Sequence, residues 1–261
     1  MTDINTFRVQ SIYRYPVKGL MPELLASTVL EIGKTLPADR RYAIENGPSG
    51  FDPAAPSYLP KQRFLMLMKN ERLARLEMQY DDATGMLVIR VDGREAARGD
   101  LSTTSGRRTI EDFFAGFCAD ELRGPPRVLH ADGHSFSDVA AKVVSIINLA
   151  TVAAIETAVG VPVHPLRFRG NLYVEGWPAW HEFDLVGREI AVGPFARLKI
   201  VKRIVRCAAT NVDPETGMRD LAIPATLMQS YGHMDCGVYG TVVAAGPVAN
   251  GDRVGAVNGK G

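Results

Sequence analysis

The sequence predicts a mostly β fold with a few short helices. Three observations carry that prediction. Twenty-five glycines and 16 prolines cut the 261 residues into short segments, which favours strands over long helices. Several of those segments are dense in strand-forming residues, as in Met86-Leu-Val-Ile-Arg-Val91. Only three stretches repeat apolar residues at helical spacing.

Taken along the chain, residues 7–16 alternate loosely and end at a proline. Leu76, Met78 and Tyr80 alternate ahead of the turn Asp81-Asp-Ala-Thr-Gly85, so residues 76–91 form a hairpin. Thr109 is placed to cap a helix with Ile110, Phe113, Phe114 and Phe117 on one face. Residues 142–147 are the next strand. Asn148 then caps a helix with the stripe Leu149, Val152, Ile155 and Val159, ended by Gly160. Strands follow at 171–174, 189–192, 198–205 and 238–244, and a third helix at 224–231 stops at Gly232. Arg123-Gly-Pro-Pro-Arg127 is the expected boundary between units 1–124 and 125–261. Residues 46–60 form a long loop inside the first unit, of the kind that is functional more often than part of a core.

Composition limits the function classes. The net charge is +1, which argues against a nucleic-acid protein whose affinity comes from a basic surface. Three cysteines argue against a disulfide framework and for a reducing compartment. The start, MTDINTFRVQ, lacks a leader's apolar stretch, and no apolar run approaches the ~18 residues of a membrane span. The expectation is a soluble cytoplasmic protein with neither a membrane nor a nucleic-acid partner. Phosphate-loop, dinucleotide, zinc-protease, Cys-x-x-Cys and Gly-x-Ser-x-Gly motifs are all absent.

Four constellations remain. In Tyr15-Pro-Val-Lys-Gly19, a lysine follows a proline-stiffened strand end, where it presents its ammonium to an anion or stays solvated. In Asp39-Arg-Arg41, strand alternation would send the two arginines to opposite faces, one toward a buried anion. In Arg167-Phe-Arg-Gly-Asn171, the same alternation puts Arg167, Arg169 and Asn171 on one side as a fork of donors. Finally, Lys202, Arg203 and Arg206 crowd Cys207, the setting that favours a thiolate, itself a soft metal ligand. Asp213-Pro-Glu-Thr-Gly217 downstream is a structural turn. Cys118 fits a buried apolar position. Zinc on Cys207, Cys236 and His233 is an open alternative. Trp177, Trp180 and His181 line either a substrate mouth or a packed aromatic corner.

In this order the motifs resemble those of MOSC proteins, named for the C-terminal domain of molybdenum-cofactor sulfurase. Tyr15-Pro-Val-Lys18 and Asp39-Arg40 with Tyr42 resemble the family's N-terminal signatures. Asn148-Leu-Ala-Thr-Val152, Arg167-Phe-Arg-Gly-Asn171, Arg206-Cys207 with its Asp213–Gly217 turn, and Gly237-Val-Tyr-Gly240 resemble those of the MOSC domain. Gly19 stands where many members have serine, and Gly170 where proline is usual. The resemblance implies a β-barrel MOSC domain with an N-terminal β-barrel region packed against it. It implies a molybdenum cofactor, a pyranopterin dithiolene, with Cys207 as the molybdenum ligand. Lys18 and Arg40 would neutralise the cofactor phosphate, Arg169 and Asn171 would bind its pterin or phosphate end, and Lys61 is a further candidate for the cradle. Neither pyridoxal phosphate nor an iron–sulfur cluster is expected in this chain. The implied function is an oxidoreductase that reduces N-hydroxylated or similar small substrates with electrons from an external reductase. The alternative is a non-catalytic carrier of the cofactor or of sulfur.

Overall fold

The computed structural model describes residues 7–256; the start of the stretch read as lacking a leader, residues 1–6, lies outside them. Alternating apolar residues build an eight-stranded sheet. Its order is Val254–Ala256, Glu189–Val192, Ala196–Val205, Asp235–Ala244, Val144–Asn148, Leu172–Glu175, Arg8–Arg14 and Glu23–Leu25. All neighbours are antiparallel except Val144–Asn148 and Leu172–Glu175, which are parallel and are joined through the helix Leu149–Val159. One face of this sheet buries Ile12, Ile146, Leu172, Leu198 and Val238 in a single core. The first strand thus belongs to the sheet of the second half, and Ser27–Leu30 pairs with Gly246–Ala249 of the chain's end. A separate three-stranded meander, Leu76–Asp81, Met86–Val91 and Arg94–Asp100, packs under the helix Thr104–Phe117 with its own core. The architecture is mostly β, as the punctuation predicts.

Local chemistry explains the element ends. Asn148 Oδ1 accepts from the Ala150 N–H at 3.0 Å, and Gly160 takes φ +83°, so the Leu149–Val159 helix is capped as read from sequence. The helix expected to start at Thr109 starts more than a turn earlier. Thr103 Oγ1 accepts from Gly106 N at 3.0 Å, while Thr109 Oγ1 donates back to Ser105 O. The earlier start is possible because Gly106 lies directly on Asp100: a Cβ at Gly106 would stand 2.1 Å from Asp100 O. The strand Arg94–Asp100 escaped the sequence pattern because its residues are mostly polar and exposed at a sheet edge. Among the described residues, no helix is long and apolar enough to cross a membrane.

Candidate functional site

Where the two halves of the chain meet there is a cavity of about 310 Å³. Lys18, Gly19, Asp39, Arg40 and Lys61 line it from the first half. Asp138, Arg169, Asn171, Cys207 and Tyr239 line it from the second. All six residues singled out from sequence, Lys18, Arg40, Lys61, Arg169, Asn171 and Cys207, therefore share one space.

Lys18 is held by a short parallel bridge: its N–H donates to Tyr42 O at 2.8 Å, and Tyr42 N donates to Pro16 O at 3.0 Å. Gly19 follows at φ +86°, where a Cβ would stand 2.9 Å from Leu65 O, so the backbone itself excludes serine from this conformation without strain. The Lys18 ammonium donates to Phe136 O at 2.8 Å and pairs with Asp138. Burial pulls its pKa down, and the nearby Arg40 and Arg169 charges add to that pull against Asp138. Burial alone would raise the Asp138 carboxyl, but Lys18, Lys61 and Arg40 hold it well below the usual carboxylate range.

Arg40 and Arg169 are not strand residues. Both have left-handed backbones, φ +49° and +50°, at a cost of about 1–2 kcal/mol each. Arg40 N donates to Tyr15 O at 2.7 Å and Arg40 O accepts from Phe136 N at 2.8 Å, while its guanidinium donates to Asp39 and to Arg169 O. Arg169 closes a 3-10 turn over Pro165–Phe168, and its Nη2 donates to Leu20 O at 2.9 Å. That turn overturns the expected alternation. Arg167 also lines the cavity, but its guanidinium is taken by Asp213 and Asp220, at 2.9 and 2.8 Å, so it forms no free fork of donors with Arg169. Asn171 lines the cavity, yet its amide is committed to the fold. Its Oδ1 accepts from Ser145 N and Oγ, and its Nδ2 donates to Tyr13 O.

The cations beside Cys207 in sequence also line the cavity, but their charged ends are engaged by rings and carbonyls rather than by the thiol. Lys202 lies over the Tyr239 ring, Arg203 over Phe183, and Arg206 donates to the carbonyls of Cys236 and Phe168. The cation on the thiol is instead Lys61, whose Nζ stands 3.1 Å from Cys207 Sγ. Burial would lower the Lys61 ammonium, but the Cys207 sulfur together with Asp138 and Tyr239 holds it above its ordinary value. Cys207 is half-buried, with its carbonyl bonded by Thr210 N and Oγ1. The other two cysteines are fully buried, and burial pushes each thiol up to about 12.

The zinc alternative fails. Cys236 is fully buried in a strand, His233 Nδ1 accepts from Asp235 N, and among the described residues no three His, Cys, Asp or Glu side chains are placed to hold a metal ion. Trp177, Trp180 and His181 form the packed aromatic corner with Phe7, Phe183 and Tyr231. The Asp213–Gly217 turn is structural: Asp213 Oδ1 gathers the Glu215 and Thr216 N–H groups. Asp138 and the ring of Tyr15 were missed as site residues. Asp138 carries no local pattern, and nothing in the sequence ties it to a lysine 120 positions earlier.

Two family models match the chain: the MOSC N-terminal beta barrel domain over residues 6–119 and the MOSC domain over residues 131–255. The chain belongs to the MOSC family. MOSC domains are associated with binding of molybdenum cofactor. No curated protein matches this MOSC protein in sequence. Among solved structures, it is similar to the YUAD protein of Bacillus subtilis at 14% identity and a TM-score of 0.45, over 95% of this chain and 94% of that one. It is also similar to YiiM of Geobacillus stearothermophilus at 17% identity and a TM-score of 0.35, over 44% of this chain and 54% of that one. YiiM of Escherichia coli is similar at 18% identity and a TM-score of 0.33, again over 44% and 54%.

Proposed function

We propose that the cavity binds molybdenum cofactor and that the protein reduces N-hydroxylated or similar small substrates. The observation that carries this reading is the convergence of Lys18, Arg40, Arg169 and the Cys207 thiol on one cavity, drawn from both halves of the chain. The donor set fits the group. One buried lysine and two half-buried arginines repel one another, and among the described residues Lys18 pairs with Asp138 and Arg40 with Asp39, so a bound phosphate dianion would relieve them. A half-buried thiol is the soft ligand that molybdenum takes.

In this arrangement Lys18, Arg40 and Arg169 hold the phosphate, and Cys207 ligates the metal. Lys61 covers the sulfur and carries a proton at Nζ beside it. Asn171 ties three strands together beneath the site. When bound, the cofactor supplies two-electron redox chemistry at molybdenum, so that an N–OH group, two electrons and two protons give N–H and water. The electrons would come from an external donor protein.

The test is purification from a host that makes the cofactor, followed by molybdenum and pterin analysis and turnover of a hydroxylamine with a reduced dye as donor. The reading expects molybdenum and pterin together with dye-dependent reduction, lost in Cys207→Ser. Bound cofactor without turnover would instead support the carrier function, and a cofactor-free protein would overturn both.

A further inference from the structure

Both cradle arginines lie over the same aromatic ring. The Arg40 and Arg169 guanidinium carbons stand 4.2 and 4.3 Å from the centroid of Tyr15. These are also two of the five non-glycine residues with positive φ among the described residues. Strain of this kind persists only where the surroundings over-determine it, and it concentrates at binding sites. Here the over-determination runs through Tyr15. Its N–H donates to Asp39 Oδ1 at 2.9 Å, the same carboxylate that pairs with Arg40, and its carbonyl accepts the Arg40 N–H at 2.7 Å.

We propose that Tyr15 is the positioning residue of the anion cradle. It would act through the face of its ring, which orients Arg40 and Arg169 together toward a phosphate-sized dianion. The inference rests on the phosphate-cradle reading above. A ring face attracts guanidinium by its quadrupole, and the attraction grows where water is excluded. Tyr15 is fully buried, so the electrostatic benefit is not screened. The hydroxyl contributes little: it is buried toward Tyr173 without a well-formed hydrogen bond. Burial also pushes the phenol's pKa up against the two nearby arginines, so the ring stays neutral. Because Tyr15 and Arg40 belong to the first half and Arg169 to the second, the ring also fixes how the two halves present charge to one ligand.

The proposal separates ring from hydroxyl and ring from bulk. Cofactor-free wild type, Tyr15→Phe and Tyr15→Leu are titrated with inorganic pyrophosphate by calorimetry. Tyr15→Phe should bind as wild type does, and Tyr15→Leu about tenfold more weakly. Equal binding by the Phe and Leu variants overturns the role of Tyr15. Absence of pyrophosphate binding in wild type overturns the cradle itself. Because Tyr15→Leu removes a core side chain and its fold is at risk, a second readout uses wild type and Tyr15→Phe alone. The Nε–Hε resonances of Arg40 and Arg169, assigned by their loss in Arg40→Lys and Arg169→Lys, should be shifted upfield by the ring in both proteins. Resonances at ordinary arginine positions overturn the proposal.

Discussion

Arg167 and Arg169 stand two residues apart, the first buried and the second half-buried, and they differ in their partners. Arg167 is enclosed by carboxylates: Asp220 takes both Nη atoms at 2.8 Å and Asp213 takes Nη2 at 2.9 Å. Its charge is neutralised, and it fastens the turn before Leu172–Glu175 to the turn after Cys207. Arg169 meets a carbonyl and a ring but no carboxylate, and burial depresses its pKa. Its charge is left available to a ligand. On the proposed reading, Arg167 with its two aspartates belongs to the scaffold, and Arg169, which lacks them, is placed for an anion.

The same substitution at both positions breaks the comparison most sharply. Arg167→Met leaves Asp213 and Asp220 without their cation and should lower unfolding free energy by about 3 kcal/mol, read by urea denaturation. Arg169→Met strands no carboxylate and should leave stability within about 1 kcal/mol of wild type, since an uncompensated buried charge is removed. It should nonetheless cost about tenfold or more in pyrophosphate affinity, because a charged hydrogen bond to the anion is lost. If Arg169→Met is the unstable variant and Arg167→Met the one that fails to bind, the roles are reversed.

Acid sharpens the contrast. Burial would raise the Asp213 carboxyl, but the Thr216 and Glu215 N–H groups and Arg167 hold it below its ordinary value. A carboxyl depressed in the folded state adds stability above its unfolded pKa of about 4, and that stability is lost as pH falls through the lower folded value. The deficit of Arg167→Met should therefore be full at pH 7 and shrink below about pH 4. Urea midpoints from pH 7 to pH 3 check this, and a constant gap would remove Asp213 from the account. The smallest expected effect lies far from the site. Gly160→Ala places a side chain at φ +83° with open space around it, so it should cost about 1 kcal/mol of stability from backbone conformation alone and leave anion binding unchanged.

What the sequence could reveal follows the range of each interaction. The hairpin at residues 76–91 and the helix from Leu149 were legible, because their signals, alternation and caps, act within a few residues. The site's membership was legible only through its motifs. Its internal wiring was not. Strand alternation failed at Arg167 and Arg169 because a 3-10 turn and a left-handed residue intervene, neither of which has a period to read. The basic flank of Cys207 reaches the same cavity, but Lys202, Arg203 and Arg206 are engaged by aromatic rings or carbonyls and not by the sulfur. The cation that reaches the thiol, Lys61, is 146 residues away in the chain and arrives from the end of the 46–60 loop. Tyr58 of that loop also donates to the Asp138 carbonyl at 3.2 Å, which places the loop at the cavity rather than apart from it.

The central claim is that this cavity presents Cys207 to molybdenum. X-ray absorption at the molybdenum edge, on protein from a cofactor-competent host, tests it most directly. The account predicts one more sulfur scatterer on the metal in wild type than in Cys207→Ser, with Cys236→Ser identical to wild type and pterin retained by all three through Lys18, Arg40 and Arg169. An unchanged sulfur count in Cys207→Ser, or a loss in Cys236→Ser, would contradict it.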